Sequence, residues 1–229
     1  PERAQYIRVA TLEMQRIASH LMWLAAYAVD LGMMAGFIYG MRDREVFIDL
    51  LQGLSGSRLT YNYPRIGGVA HDIPPGWDQE ALRACNYMEE RLREYEDMYE
   101  GSKIFMMRNE GVGVLKREDA MNLGVTGPPM RASGAKYDLR KDRPYEAYAD
   151  MDFEVCSRTE GDCFARYRVR IDEMWESCRI IRQAIQKMPK GKWRVLAPRN
   201  APVGTGMARV EDPRGEGMMY VVGDGTDRP

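Results

Sequence analysis

The chain has 229 residues with 33 basic and 34 acidic side chains, a formal net charge of −1. At 45% hydrophobic and 29% charged it has an ordinary globular composition, and the charge balance excludes a general nucleic-acid binder, which needs a basic excess to neutralise phosphates. No apolar run approaches the roughly 18 residues that span a bilayer.

In chain order, the first segment carries a helical period: Ile7, Ala10, Met14, Ile17, Leu21, Leu24, Ala28 and Leu31 recur in steps of three and four. One position earlier runs a polar and aromatic stripe, Glu13, Arg16, His20, Trp23, Tyr27 and Asp30. A long helix with both stripes is expected to be buried on more than one side, with Gly32 marking its stop. A second apolar helix is expected over Phe37 to Leu54, interrupted by the charged run Arg42, Asp43, Arg44 and Glu45. Residues 59 to 69 are rich in β-formers and end in Gly67 and Gly68, so a short strand or loop is expected there. Asp78 is placed as the cap of a third helix ending near Glu100.

Glycines and prolines break the pattern from Gly101 to Pro144, leaving room for a short helix over Arg117 to Leu123 and a strand over Ala135 to Arg140. A fourth long helix follows, with Tyr167, Ile171, Met174, Cys178, Ile181, Ile185 and Met188 on its seam and Pro189 ending it. Trp193 to Val222 holds short β-runs. The sum is mainly α, a helical bundle with small β excursions. Pro1 and the turn-like 224 to 229 both look like cut ends, so residues 1–229 are expected to form a single incomplete domain.

The four cysteines include no Cys-x-x-Cys pair, and there are two histidines, so no metal site is expected on the chain. Cys178 on the apolar seam is expected to be a core thiol, which suits a reducing setting. Asp30 ends a long helix where the macrodipole is negative. That position suits a proton donor, and it equally suits a solvated helix-end aspartate. His20 is expected to be a hydrogen-bonded core residue. Arg42 to Glu45 need partners if buried, in an ion-pair network or on a proton route. Arg65, beside two glycines, either meets an anionic group or pins its loop by a salt bridge.

The strings PERAQYIRV (1–9), RIASHLMWL (16–24), VDLG (29–32), RDRE (42–45), YNYPRIGGV (61–69), LGVTGPPMRASG (123–134), YDLRKDRPY (137–145), GDCFARYRVRIDEM (161–174) and GDGTDRP (223–229) occur in order. Together they resemble the quinone-site subunit family of complex I-type NADH-quinone oxidoreductases, called the 49-kDa subunit in mitochondria and related to the nickel–iron hydrogenase large subunit. Residues 189 to 217 look closer to archaeal members that take electrons from a reduced deazaflavin.

The resemblance implies a hydrogenase large-subunit-like fold and an enzyme active only in the assembled complex. It implies a peripheral subunit on the cytoplasmic face of the prokaryotic plasma membrane. Its partners would be membrane-arm subunits and a neighbour carrying a tetranuclear iron–sulfur cluster. Quinone would be the substrate, no cofactor would be held by this chain itself, and electron transfer would be coupled to proton translocation. It further implies a catalytic, protonic role for Asp30, Phe37 and Ile38 at the mouth of the quinone pocket, Arg44 on the proton route, and Thr60 and Arg65 facing the cluster. Some members have a titrating histidine at the position of Thr60. The family's headgroup tyrosine and histidine are expected upstream of Pro1. The rival readings are the large subunit of a membrane-bound nickel–iron hydrogenase and a non-catalytic assembly subunit.

Overall fold

A computed structural model describes residues 1–198 and 200–226. Two long helices open the chain and lie against each other: α1 (Glu2–Asp30) and α2 (Met34–Ser55). At 1.5 Å per residue α1 is about 43 Å long. The reversal between them uses Gly32 at φ 79°, a left-handed conformation that glycine adopts without a Cβ clash. The helices then approach closely through small residues. A Cβ on Gly40 would sit 3.1 Å from that of Ala25, and one on Gly36 would overlap the Tyr99 hydroxyl.

The strands β1 (Pro64–Arg65) and β2 (Gly68–Val69) pair as a minimal antiparallel hairpin, with Arg65 opposite Gly68. Next come α3 (Trp77–Glu100), α4 (Lys103–Asn109), α5 (Arg117–Asn122), α6 (Gly127–Ala132) and α7 (Leu139–Asp142). The long α8 (Cys163–Lys187) packs on α1, α3 and α6. It starts where the Asp162 carboxylate accepts the Ala165 N–H (2.7 Å), and Pro189 follows its end. The four long helices enclose one principal core, in which Ile7, Met14, Leu21, Phe47, Met88, Tyr95, Ile171 and Cys178 are buried. Finally β3 (Gly204–Asp212) and β4 (Gly215–Gly223) form one antiparallel hairpin around Pro213 and Arg214.

The mainly α expectation holds, as do the long helices and the core place of Cys178, and the short strand or loop expected over residues 59 to 69 folds as the small β1–β2 hairpin. Four expectations are corrected. The charged run does not interrupt α2, because the helix turns Asp43 inward and leaves Arg42 half exposed. Asp78 is not a cap: Gly76 (φ 84°) precedes the first helical residue, and Asp78 lies in the first turn, where a negative charge favours the helix dipole. No strand forms over Ala135 to Arg140. The Asp138 side chain there accepts the Arg140 N–H (3.0 Å) and starts α7 instead. The tail forms one nine-residue-per-strand hairpin rather than several short runs. Of the closing turn expected over 224 to 229, residues 227–229 lie outside the described residues.

Candidate functional site

The polar stripe of α1 resolves into two parts. Its lower half enters a buried ionic network. Glu13, fully buried, accepts hydrogen bonds from Arg140 (3.0 and 3.1 Å), Tyr148 (2.6 Å), Ser177 (2.7 Å) and Arg16 (3.2 Å). Burial alone would raise its carboxyl, but Arg140 and Arg16 hold it below the usual carboxylate range. Arg140 also pairs with Asp138 (2.6 Å), and Arg131 pairs with Glu173 (2.8 Å) and Glu211 (2.8 Å). Arg16 donates to the Glu211 carbonyl (2.6 Å), which ties α1 to the base of the β3–β4 hairpin.

His20 closes the network through Nε2, 2.8 Å from a Glu173 oxygen. Burial lowers its pKa to about 4 against the pull of Glu173, so the imidazole is neutral near pH 7 and Nε2 carries the donated proton. Glu173 itself is held well below its ordinary value, because Arg131 and His20 outweigh its desolvation. The core role expected of His20 is therefore what the structure has.

Above His20 the stripe opens. A cavity of about 340 Å³ is lined by Ser19, His20, Met22, Trp23, Ala26, Arg170 and Arg214. That volume lies at the small end of ligand pockets, which run from roughly 300 to 1,000 Å³. Ser19, Met22, Trp23, Ala26, Val29 and Asp30 recur with the helical period, at i, i+3, i+4, i+7, i+10 and i+11. They form a single face of α1 that runs from the cavity to the helix end. The Arg170 guanidinium lies over the Trp23 ring at 4.2 Å. Trp23 stacks on Tyr27 (4.9 Å), whose hydroxyl donates to Asn109 of α4. Burial and Cys163 push the Tyr27 phenol up to about 12.

Asp30 is exposed at the end of this face, beyond the network. Phe37 is half-buried and Ile38 is 56% exposed one to two turns into α2, so these three residues share the elbow end of the molecule. Arg44 lies further down α2, its Nη1 3.4 Å from Glu45. Asp43, its buried neighbour, accepts hydrogen bonds from Tyr87 (2.7 Å), Tyr95 and Arg42.

Thr60 and Arg65 are not at the elbow. The Arg8 guanidinium donates to the Arg65 carbonyl (2.6 Å) and the Gly68 carbonyl (2.7 Å). Arg8 stands 22 residues before Asp30 on the same helix, about 33 Å along its axis. The Arg65 side chain is exposed and donates to the Asn62 carbonyl (3.0 Å), and the Thr60 hydroxyl lies 3.2 Å from that of Ser57. The loop is pinned by Arg8 rather than by a salt bridge from Arg65. The expected site residues thus divide between two ends of α1.

Sequence reasoning missed Arg131, Asp138, Arg140, Arg170, Glu173 and Glu211. For α8 the signal was available. Arg170, Glu173 and Ser177 each stand one position before the apolar seam residues Ile171, Met174 and Cys178, repeating the double stripe of α1. Arg131, Asp138 and Arg140 lie in or beside helices too short to show a period, and Glu211 lies in a strand whose other residues are mostly exposed, so no periodicity marks them.

A larger groove of about 560 Å³ runs between α2 and α3 past Val46, Leu50, Trp77 and Ala84, but it holds none of the stripe residues. Among the described residues no group of three or more His, Cys, Asp or Glu side chains is arranged to hold a metal. Nor, among them, is any helix long and apolar enough to cross a membrane.

Residues 30–202 match the family described as the respiratory-chain NADH dehydrogenase 49 kDa subunit. The whole chain is 46% identical to the D subunit of NADH-quinone oxidoreductase from Desulforamulus reducens and 42% identical to the D subunit of F420H2 dehydrogenase from Methanosarcina mazei. In both cases it spans 63% of the relative's length. The fold superposes with a TM-score of 0.95 on a chain from the membrane-bound sulfane sulfur reductase, an archaeal respiratory membrane complex. There the identity is 35%, covering all of this chain and 64% of that one.

Proposed function

The chain belongs to the family of the respiratory-chain NADH dehydrogenase 49 kDa subunit, and on that footing we propose that it is the quinone-site part of a complex I-type respiratory oxidoreductase. It is an enzyme subunit active only in the assembled complex. Electrons reach the site from a tetranuclear iron–sulfur cluster on a neighbouring subunit and pass to quinone, coupled to proton translocation. The subunit is peripheral, docked on membrane-arm subunits at the cytoplasmic face of the prokaryotic plasma membrane. The donor is NADH or, by likeness to the F420H2 dehydrogenase relative, reduced F420.

The observation that carries this reading is the open face of α1 from Ser19 to Asp30, which joins a cavity to a helix-end carboxylate. Its chemistry suits a ring with polar oxygens. Trp23, Met22 and Ala26 offer apolar wall, and Ser19, Arg170 and Arg214 offer donors. Asp30 sits where protons must be delivered as the acceptor takes electrons, and its exposure connects it to the aqueous proton supply. Phe37 and Ile38 form the mouth. Arg44, held to Glu45, stands on the route towards the membrane arm. Thr60 and Arg65 face the cluster, and threonine there cannot titrate with it.

The test is Asp30→Asn in the assembled complex. Quinone reduction is expected to fall by about 10²- to 10⁴-fold, the range for loss of a positioned proton donor, with assembly unchanged because the side chain is exposed. A normal rate in a normally assembled complex removes Asp30 from the mechanism.

A further inference from the structure

Among the described residues the buried arginines obey a rule with one exception. Arg16, Arg131 and Arg140 are all buried, and each has a carboxylate within 4 Å. Arg170 is also buried, with 9% of its surface exposed, and among the described residues it has no carboxylate at that distance. Its guanidinium donates to the Arg166 carbonyl (2.7 Å) and lies over the Trp23 ring at 4.2 Å.

The surroundings do not supply the missing charge. Glu173 is the nearest acid in electrostatic terms, and it is already taken by Arg131 and His20. Arg166, Arg131 and Arg214 add further positive charge. Burial and these neighbours lower the Arg170 pKa to about 10, which still leaves it charged at neutral pH. A desolvated guanidinium without a counter-charge is costly to keep. It is preserved where an electron-rich oxygen comes to it, and Arg170 borders the cavity under Trp23.

Resting on the quinone-site reading, we infer that Arg170 is a further residue that meets an acceptor oxygen on which negative charge gathers during reduction, beside the headgroup ligands expected upstream, with Trp23 holding the guanidinium in place. Reduction of a quinone adds two electrons and two protons and turns each C=O into C–OH, with no bond to a leaving group broken. The electrons come from the neighbouring subunit's iron–sulfur cluster and the protons from the aqueous phase. Between electron and proton arrival, one oxygen carries charge. A preorganised cation on the cavity wall stabilises that state more than the neutral quinone. Arg214, exposed at the tip of the β3–β4 hairpin, adds charge to the same cavity from its far wall.

The experiment uses the assembled complex, with quinone and ferricyanide as alternative acceptors. Arg170→Gln is expected to lower kcat with quinone at least tenfold while KM changes less than threefold, since the lost contact is made mainly in the charged state. Ferricyanide reduction stays at the wild-type rate. Arg170→Lys is expected to recover part of kcat, because it restores charge without the flat fork. Wild-type kcat and KM in Arg170→Gln overturn the inference, and so do equal losses with both acceptors, which report a structural role. If Arg170→Gln does not assemble, Arg214→Gln decides. A smaller fall in kcat at constant KM supports the inference, and no change overturns it. A wild-type complex that reduces ferricyanide but no quinone overturns the quinone-site reading itself.

Discussion

The two halves of the α1 stripe differ in how their charges are answered. Around Glu13 every charge meets its opposite, and the network joins α1, α7, α8 and the hairpin base. Arg170, over Trp23 about three turns on, and Asp30, at the helix end, have no such partners among the described residues, and a cavity lies between the network and the helix end. The closed half behaves as a joint: a shift of helices or hairpin would leave buried ions without their partners. The open half leaves its donors to what enters. On the proposed function, neighbouring stretches of one helix thereby serve structure and binding separately.

The largest expected effect lies in the closed half. Glu13→Gln keeps the shape of the side chain but removes the charge that Arg140 and Arg16 answer. Breaking a buried pair from one side costs about 3–5 kcal/mol. In the assembled complex this is expected as much faster amide hydrogen exchange at the facing turns of α1 and α8, measured by mass spectrometry. Unchanged protection there would mean that the network is not the joint.

Much of this division is legible in the sequence, and its legible part has a physical pattern. Residues 7 to 31 and 167 to 188 announce their helices because long amphipathic elements repeat the same burial decision many times. The double stripe on α1 announces that a second face is buried, and Glu13, Arg16 and His20 bear that out. The partners of those residues are hidden. Arg131 and Arg140 sit in helices of six and four residues, too short to show a period. Tyr137 and Leu139 bias the stretch around Asp138 towards a strand, and the capping hydrogen bond of Asp138 overrides that propensity. Asp30, Phe37 and Ile38 stand within nine positions of one another, so a single turn of chain brings them to the elbow. The separation of Arg65 from them by most of the length of α1 follows only from how α2 runs back along α1.

The next effect tests the boundary between the halves by pH. His20 has a folded pKa of about 4 against 6.5 when unperturbed. Between those values the unfolded chain binds a proton that the folded chain refuses. Its contribution is therefore complete above about pH 6.5 and is lost as pH falls towards 4, at about 1.4 kcal/mol per pH unit, or ~3 kcal/mol in all. The depressed carboxyl of Glu173 extends the loss to lower pH in the same direction. Thermal inactivation midpoints of the assembled complex at pH 7, 6 and 5 are expected to fall in wild type and to fall less in His20→Gln, whose amide can still donate to Glu173. A slope that survives this substitution belongs to another group.

The smallest expected effect is the sharpest test of the comparison, because it runs against ordinary experience with buried arginines. Arg170→Met removes a charge that no carboxylate answers, so it orphans no partner. What it gives up is the stacking on Trp23 and the hydrogen bond to the Arg166 carbonyl, each worth about 1 kcal/mol. What it gains is relief of a desolvated, unpaired cation beside three other arginines, and methionine fills irregular apolar space well. The balance is expected within about 0.5 kcal/mol of zero or on the stabilising side, as when buried ions are replaced by apolar groups of similar volume. Hydrogen exchange across α8 should therefore match wild type or slow slightly, in contrast to Glu13→Gln. Large loss of protection would show that Arg170 is answered after all, by a carboxylate from elsewhere in the complex, and the open half of the stripe would then be closed in the assembled state.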